Sequence, residues 1–339
     1  MTPTFESRVL GCLVGVTLEA LGVPHETITR EEIMLLTNGL GLTGLQAPLK
    51  PVTFKSLAGL PLGATSDDWQ LTLAVAESLL AKKDFDLLDL AWRHVVELNI
   101  RTPGWGNTTK RAVREMEKWF QSAGTKGRHP AKPRPWPNNE GGGGNGVAMK
   151  IAPLAIFLSR DQQAEQKLID WCRALGEMTH PDPRAWISAF ALAHVIFQCL
   201  RNDRPTPQAI MKKTLAAVRE IEKTFEPWPV ELFSKRLERV MRPETIANAD
   251  TLRTTTGVSC FAMESVPFVL GGFLRRPEDI RAGVLEVLNA GGDTDTNVNM
   301  YAALAGAFAG YEAIPAEWVK AIPDAKKAQD IAKQFLRHS

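Results

Sequence analysis

The chain has 339 residues, a hydrophobic fraction of 44% and 40 basic against 38 acidic residues, for a net charge of +2. That length and apolar content suffice for a sizeable buried core, which excludes a wholly disordered chain. The near balance of charge removes any bulk electrostatic reason for a nucleic-acid or membrane-surface partner, and neither is expected.

The first apolar stretch, Val9 to Pro24, is interrupted by Glu19 and followed by no small-residue cleavage site. It reads as a helix of the folded protein rather than a signal peptide. No stretch reads as a membrane span, since the longest apolar-rich one, Ile187 to Leu200, carries His194 and Gln198 and is too short. Cys12, Cys172, Cys199 and Cys260 form no C-x-x-C pair. They are expected as reduced core residues of a cytoplasmic protein.

Helical periodicity dominates the rest of the chain. Asp67 to Lys82 places Leu71, Val75 and Leu79 four residues apart, with Leu73, Ala76 and Leu80 widening the stripe. The same pattern predicts helices over Leu87–Ile100, Thr108–Phe120, Gln163–Met178, Arg184–Leu200, Pro207–Thr224, Pro277–Asn289 and Thr296–Ala309. Strand-like alternation is nearly confined to Val52–Phe54. The expected fold is therefore all-α and orthogonally packed, in one domain over residues 1–339. Two irregular stretches stand out. Gly39–Thr65 ends just before an acidic pair, and Gly124–Gly146 carries four prolines and then Gly141 to Gly144. Loops that long in a compact domain are either disordered or functional.

Near the C-terminus, Gly291-Gly292-Asp293-Thr294-Asp295-Thr296-Asn297 gathers two carboxylates and two hydroxyls at a predicted helix start. Such oxygen-only groups suit a hard divalent cation such as Mg²⁺, and equally suit N-capping. Thr65-Ser66-Asp67-Asp68 presents the same choice at another helix start. Two such acidic pairs on neighbouring helix ends would need a cation to neutralise them. Gly104-Trp105-Gly106-Asn107-Thr108-Thr109 opens a helix with small residues, a geometry for a pyrophosphate or an ordinary capped turn. Gly144-Asn145-Gly146 would let backbone approach a ligand closely, or simply bend. His180 ends one helix in Thr179-His180-Pro181-Asp182-Pro183-Arg184. Glu26 follows Gly22-Val23-Pro24-His25 and is either functional or a solvated surface acid.

Taken in order, these pieces resemble the ADP-ribosylglycohydrolases, including the dinitrogenase reductase-activating glycohydrolases. The series is Gly-x-Pro-x-Glu, Ser-Asp-Asp, Gly-Trp-Gly-Asn-Thr-Thr, Gly-Asn-Gly-x-x-Met-Lys-x-Ala-Pro, Thr-His-Pro-x-Pro-Arg-Ala and Gly-Gly-Asp-Thr-Asp-Thr-Asn. It spans roughly Val9 to Gly310. The resemblance implies a compact helical bundle with a binuclear Mg²⁺ site, Mn²⁺ being the alternative ion. It implies Ser66, Asp67, Asp68, Asp293, Asp295 and Thr296 as metal ligands, and Glu26, Asp67 and Asp295 as candidate catalytic residues. Gly104, Gly106, Asn107 and Thr108 fall at the family's phosphate loop. Asn145, Gly146 and His180 fall where ribose and adenosine contacts are expected. The implied reaction hydrolyses the glycosidic bond between ADP-ribose and an acceptor on a protein or small molecule, with nucleic acid entering only as a modified substrate. The protein is expected to act as a monomer.

Departures accompany the match. The family's Thr-Asp-Asp-Thr is Ser66-Asp67-Asp68-Trp69 here, and the Trp69 ring is expected to narrow the cleft or stack on substrate. The usual Gly-Asp-Ala-Leu-Gly is Leu18-Glu19-Ala20-Leu21-Gly22, the usual Arg after Met is Lys150, and Asp182 stands for a frequent His. An ADP-ribose-binding module without turnover is the alternative reading, against which the intact acids argue. A terpenoid-synthase-like Mg²⁺ enzyme needs Asp-Asp-x-x-Asp spacing, whereas Asp67-Asp68 is followed by Trp69, Gln70 and Leu71.

Overall fold

The computed structural model describes residues 2–124, 142–161, 163–201, 205–225 and 231–338. Of the 124–146 stretch, residues 125–141 lie outside the described ones. The described residues form sixteen α-helices and no strand; their two isolated β-bridges, Thr29 to Gly291 and Gly144 to Phe261, both pair segments around the acidic motifs. Val52–Phe54 is irregular backbone, because nothing in the described fold offers it a partner strand.

Helix α1 (Phe5–Thr17) starts at Thr4, whose hydroxyl accepts from Ser7 N, and continues through two short 3-10 turns to His25. A capping box between Thr29 and Glu32 opens α2 (Arg30–Leu36). Helices α3 (Asp67–Lys82) and α4 (Leu87–Ile100) have the bounds that the apolar stripes predict. Then come α5 (Asn107–Gly124), α6 (Ala152–Leu158), α7 (Ala164–Thr179), α8 (Pro183–Arg201) and α9 (Pro207–Glu222). Two short helices, α10 (Phe233–Val240) and α11 (Ala249–Thr256), precede α12 (Ala262–Arg275), which keeps Pro267 in its interior. The chain closes with α13 (Ile280–Leu288), α14 (Thr294–Ala309), α15 (Ala316–Ala321) and α16 (Asp324–His338).

Helix α14 is buried from Thr294 to Ala307 and packs against α1, α8, α12 and α13. Its small-residue run explains the closest of these contacts. A Cβ at Gly11 or Gly15 of α1 would fall on the backbone of Gly306 or Ala302, and one at Gly306 on the backbone of Gly11. The two helices therefore touch through their main chains.

Two sequence expectations change. The stretches Phe5–His25 and Pro183–Arg201 are both long and apolar enough to cross a bilayer, but 89% of each apolar window is buried inside the protein. Their apolar residues face other helices, which is what a helix apolar all round requires in a large core. Cys12, Cys172 and Cys199 are buried as expected, whereas Cys260 is exposed, on the loop between α11 and α12 where no helix covers it.

Candidate metal centre

Two helix starts meet. The first turn of α3 brings Ser66, Asp67 and Asp68; the first turn of α14 brings Asp293, Asp295 and Thr296. Thr296 Oγ1 donates to Asp68 Oδ1 at 3.3 Å, and the Ser66 hydroxyl hydrogen-bonds Asp295. Glu26 arrives on a third segment. Thr27 N donates to Gly292 O and Gly292 N to Ile28 O, each at 2.8 Å, which sets Glu26 against the first turn of α14. Glu26, Asp293 and Asp295 each offer a carboxylate oxygen within 4.8 Å of the others. Gly291 and Gly292 have φ of +74° and +77°, and a Cβ at either would meet backbone of Ile28 or Val258. Only glycine can form this turn.

The carboxylates share a buried space, and burial holds each above its ordinary range. Burial, with Asp295, Asp293 and Asp67 nearby, pushes Glu26 up to about 11. Burial and Asp295 push Asp67 up to about 8. Asp68, Asp293 and Asp295 shift the same way, each with burial as the leading cause. Simple capping does not account for the arrangement. Asp293, the N-cap of α14, makes no side-chain cap bond; its Oδ2 accepts instead from Asn145 Nδ2 at 2.7 Å. Glu26 Oε2 and Asp68 Oδ2 are buried with no hydrogen-bond donor. Orphaned acceptors amid carboxylates and hydroxyls fit a hard divalent cation. Behind the acids lies Lys150, fully buried, its amine without a hydrogen-bond partner and its pKa drawn down to about 7 by burial against the pull of Asp67 and Asp68.

The other predicted residues line up around this centre. Gly104 has φ of +78°, and a Cβ there would stand 2.6 Å from Asp67 Oδ1. Trp105 Nε1 donates to Gln70 Oε1 at 2.8 Å, which ties this turn to α3. Gly106 and Asn107 are exposed at the start of α5, with open space where a Gly106 Cβ would be. Thr108 and His180 flank the glycine-rich turn, 3.4 Å from a Cβ placed at Gly142. A Cβ at Gly146 would lie 2.8 Å from His180 Cε1, so glycine lets the buried imidazole pack on the main chain. Burial takes His180 down to about 3, so it is neutral. Asp182 lies beside His180 and accepts from the Arg184 guanidinium at 2.6 Å.

Trp69 is expected to narrow the cleft or stack on substrate. It is 3% exposed and belongs to the hydrophobic core. As the third residue of α3 it comes directly after the acids in sequence, but its side chain leaves the helix about 100° further round.

Three features of the site go beyond the sequence expectations. Glu19 is fully buried beside the cluster, Asn299 lies one turn beyond Asp295, and the segment Val258 to Ala262 joins two motifs. In that segment Val258 O accepts from Asp293 N at 3.0 Å, Cys260 O from Asn145 N at 2.9 Å, and Ala262 N donates to Gly143 O at 2.9 Å. These are main-chain bonds and leave no trace in residue type. Glu19 does leave a signal, as an acid inside an apolar helix.

Helices and acids together define an all-α protein with a buried carboxylate centre between two helix starts. The chain belongs to the ADP-ribosylglycohydrolase family, whose model it matches over residues 1–339. It is 25% identical over 361 residues to ADP-ribosylhydrolase ARH3 of Gallus gallus, covering 97% of this chain and 92% of that one. It is 25% identical over 335 residues to the ADP-ribosyl-[dinitrogen reductase] glycohydrolase of Rhodospirillum rubrum, covering 98% and 95%. The solved structure of an ADP-ribosylglycohydrolase-related protein complex shares the fold, with a TM-score of 0.65, 24% identity and 99% of each chain covered.

Proposed function

We propose that the protein is a divalent-cation-dependent hydrolase that splits the glycosidic bond between ADP-ribose and an acceptor such as an arginine side chain, releasing ADP-ribose. The observation that carries this reading is the convergence of Glu26, Asp293 and Asp295 within 4.8 Å, beside buried carboxylate oxygens that lack any donor. Ser66, Asp67, Asp68, Asp293, Asp295 and Thr296 would hold two Mg²⁺ ions, or Mn²⁺ in their place. When bound, such ions template ribose hydroxyls and a water and act as Lewis acids.

The chain's own residues supply the rest. Glu26, at the edge of the cluster and only partly buried, is placed to take a proton from the attacking water. The exposed start of α5 at Gly106 and Asn107 offers main-chain amides to a pyrophosphate. Asn145, Gly146 and the neutral His180 form the wall against which a ribose or adenosine would rest. The decisive experiment incubates the protein with defined ADP-ribosylated arginine, serine and nucleic-acid substrates, with and without chelator, and measures free ADP-ribose. Release that persists after exhaustive chelation overturns the metal requirement. Tight ADP-ribose binding with no release from any substrate supports a silent binding module instead.

A further inference from the structure

Glu19 sits among the carboxylates of the centre, yet both of its oxygens are already taken by N–H donors. Oε1 accepts from Ser66 N at 2.6 Å, and Oε2 accepts from Trp69 N at 3.1 Å and from Asn299 Nδ2 at 3.3 Å. These bonds commit the carboxylate to the first turn of α3 and to α14. What it does is legible from the identity of its partners. Ser66 is the N-cap of α3 and Trp69 its third residue. In an ordinary capping box these two amides are satisfied by the helix itself: the cap side chain bonds the third amide, and the third side chain returns a bond to the cap amide. Trp69 has no carboxylate to return, and the Ser66 hydroxyl reaches only Asp68 N, at 3.4 Å. Glu19 takes over both duties from 47 residues upstream of Ser66.

With the Ser66 and Trp69 amides satisfied from outside, the Ser66 hydroxyl keeps only the long bond from Asp68 N, and no carboxylate of α3 is needed at the cap amide. Ser66 and Asp68 turn toward α14, where Ser66 bonds Asp295 and Asp68 meets Thr296. Through Asn299, the same Glu19 carboxylate grips α14 one turn past Asp295. A single buried group thus spans both ligand-bearing helix starts.

We propose that Glu19 is a positioning residue for the metal centre, a capping box supplied from outside the helix that fixes the Ser66–Asp68 ligands relative to Asp293, Asp295 and Thr296. The proposal rests on the divalent-cation reading of the site. In Glu19→Gln an amide NH₂ faces main-chain N–H groups, and in Glu19→Asp the carboxylate is retained one methylene short. The test titrates Mn²⁺ by calorimetry into metal-free wild type, E19Q and E19D, melts each in chelator, and follows ADP-ribose release against Mn²⁺ concentration. The expected result is a Mn²⁺ dissociation constant about 10- to 100-fold weaker in the variants, the range for groups that orient metal ligands, with turnover recovering at saturating Mn²⁺. A purely structural role would lower the melting temperature in chelator and leave the Mn²⁺ constant unchanged, and that result overturns the proposal. E19D decides the matter if E19Q does not fold. A wild-type protein that takes up no Mn²⁺ would overturn the metal reading itself, an outcome distinct from unchanged binding in the variants.

Discussion

The side-chain amide of Asn145 donates to Oδ2 of Asp293 across 2.7 Å, joining residues 148 positions apart. The bond engages one oxygen of a carboxylate that also lies within reach of Glu26 and Asp295. Asn145→Ala should weaken Mn²⁺ binding about tenfold, since an outer partner of a metal ligand sets its orientation. Calorimetric titration checks this; unchanged affinity would assign Asn145 to substrate alone.

Asp295 and Glu26 should separate in kind. Asp295→Ala removes a carboxylate from the middle of the cluster, so metal uptake and turnover should fall together. Glu26→Gln keeps the shape but removes the base, and should lower turnover by about two orders of magnitude or more while ADP-ribose still binds. Single-turnover hydrolysis beside calorimetry with ADP-ribose at fixed Mg²⁺ distinguishes them. A Glu26→Gln protein that hydrolyses normally moves the proton transfer to Asp67 or Asp68.

The acidic cluster's contribution to the stability of the metal-free protein should fall as pH rises. Folded-state values of about 11 for Glu26 and about 8 for Asp67 lie above the ordinary 4.5 and 3.8. Between those limits these two carboxyls bind more protons in the native state than in the unfolded chain, so their contribution declines with pH, while the depressed His180 and Lys150 act in the opposite sense. The penalty is absent below about pH 4 and grows through neutrality. A divalent cation replaces the protons and should stabilise more at pH 8 than at pH 5, releasing protons as it binds. Thermal melts at the two values, with chelator and with Mg²⁺, measure it. Equal stabilisation by Mg²⁺ at the two values would refute this account.

Trp69 should behave as core. Trp69→Ala should cost about 3–5 kcal/mol in denaturant unfolding, the range for truncating a buried aromatic ring. Activity toward all ADP-ribosylated substrates should drop together. A reordering of substrate preference at unchanged stability would instead put the ring back in the cleft.

Much of this architecture is legible in periodicity. Asp67–Lys82 and Leu87–Ile100 begin and end where their apolar stripes and flanking caps say they should. Helix α12 escapes, because Pro267 lies inside it and its residues are apolar nearly all round, leaving no stripe to detect. The acidic motifs are visible as oxygen-rich helix starts, but capping and cation binding leave the same signature in sequence. The bond from Asn145 to Asp293 and the orphaned oxygens of Glu26 and Asp68, which favour the cation reading, have no counterpart in the sequence. Glu19 and Trp69 defeat a sequence reading for a common reason. The surroundings that define them are remote in the chain; Asn299, for one, is 280 residues from Glu19.

The main-chain contact of α1 with α14 gives distant glycines a hold on the chemistry. From Gly306 to Asp295 is eleven residues along one helix, roughly 16 Å at 1.5 Å per residue. The partner helix runs on into Glu19 and Glu26. A single added methyl at Gly11, Gly15 or Gly306 must prise the two rods apart, carrying one half of the acidic cluster away from the other. A screen for lost activity would therefore score these buried, chemically inert positions alongside the acids, although no substrate ever reaches them.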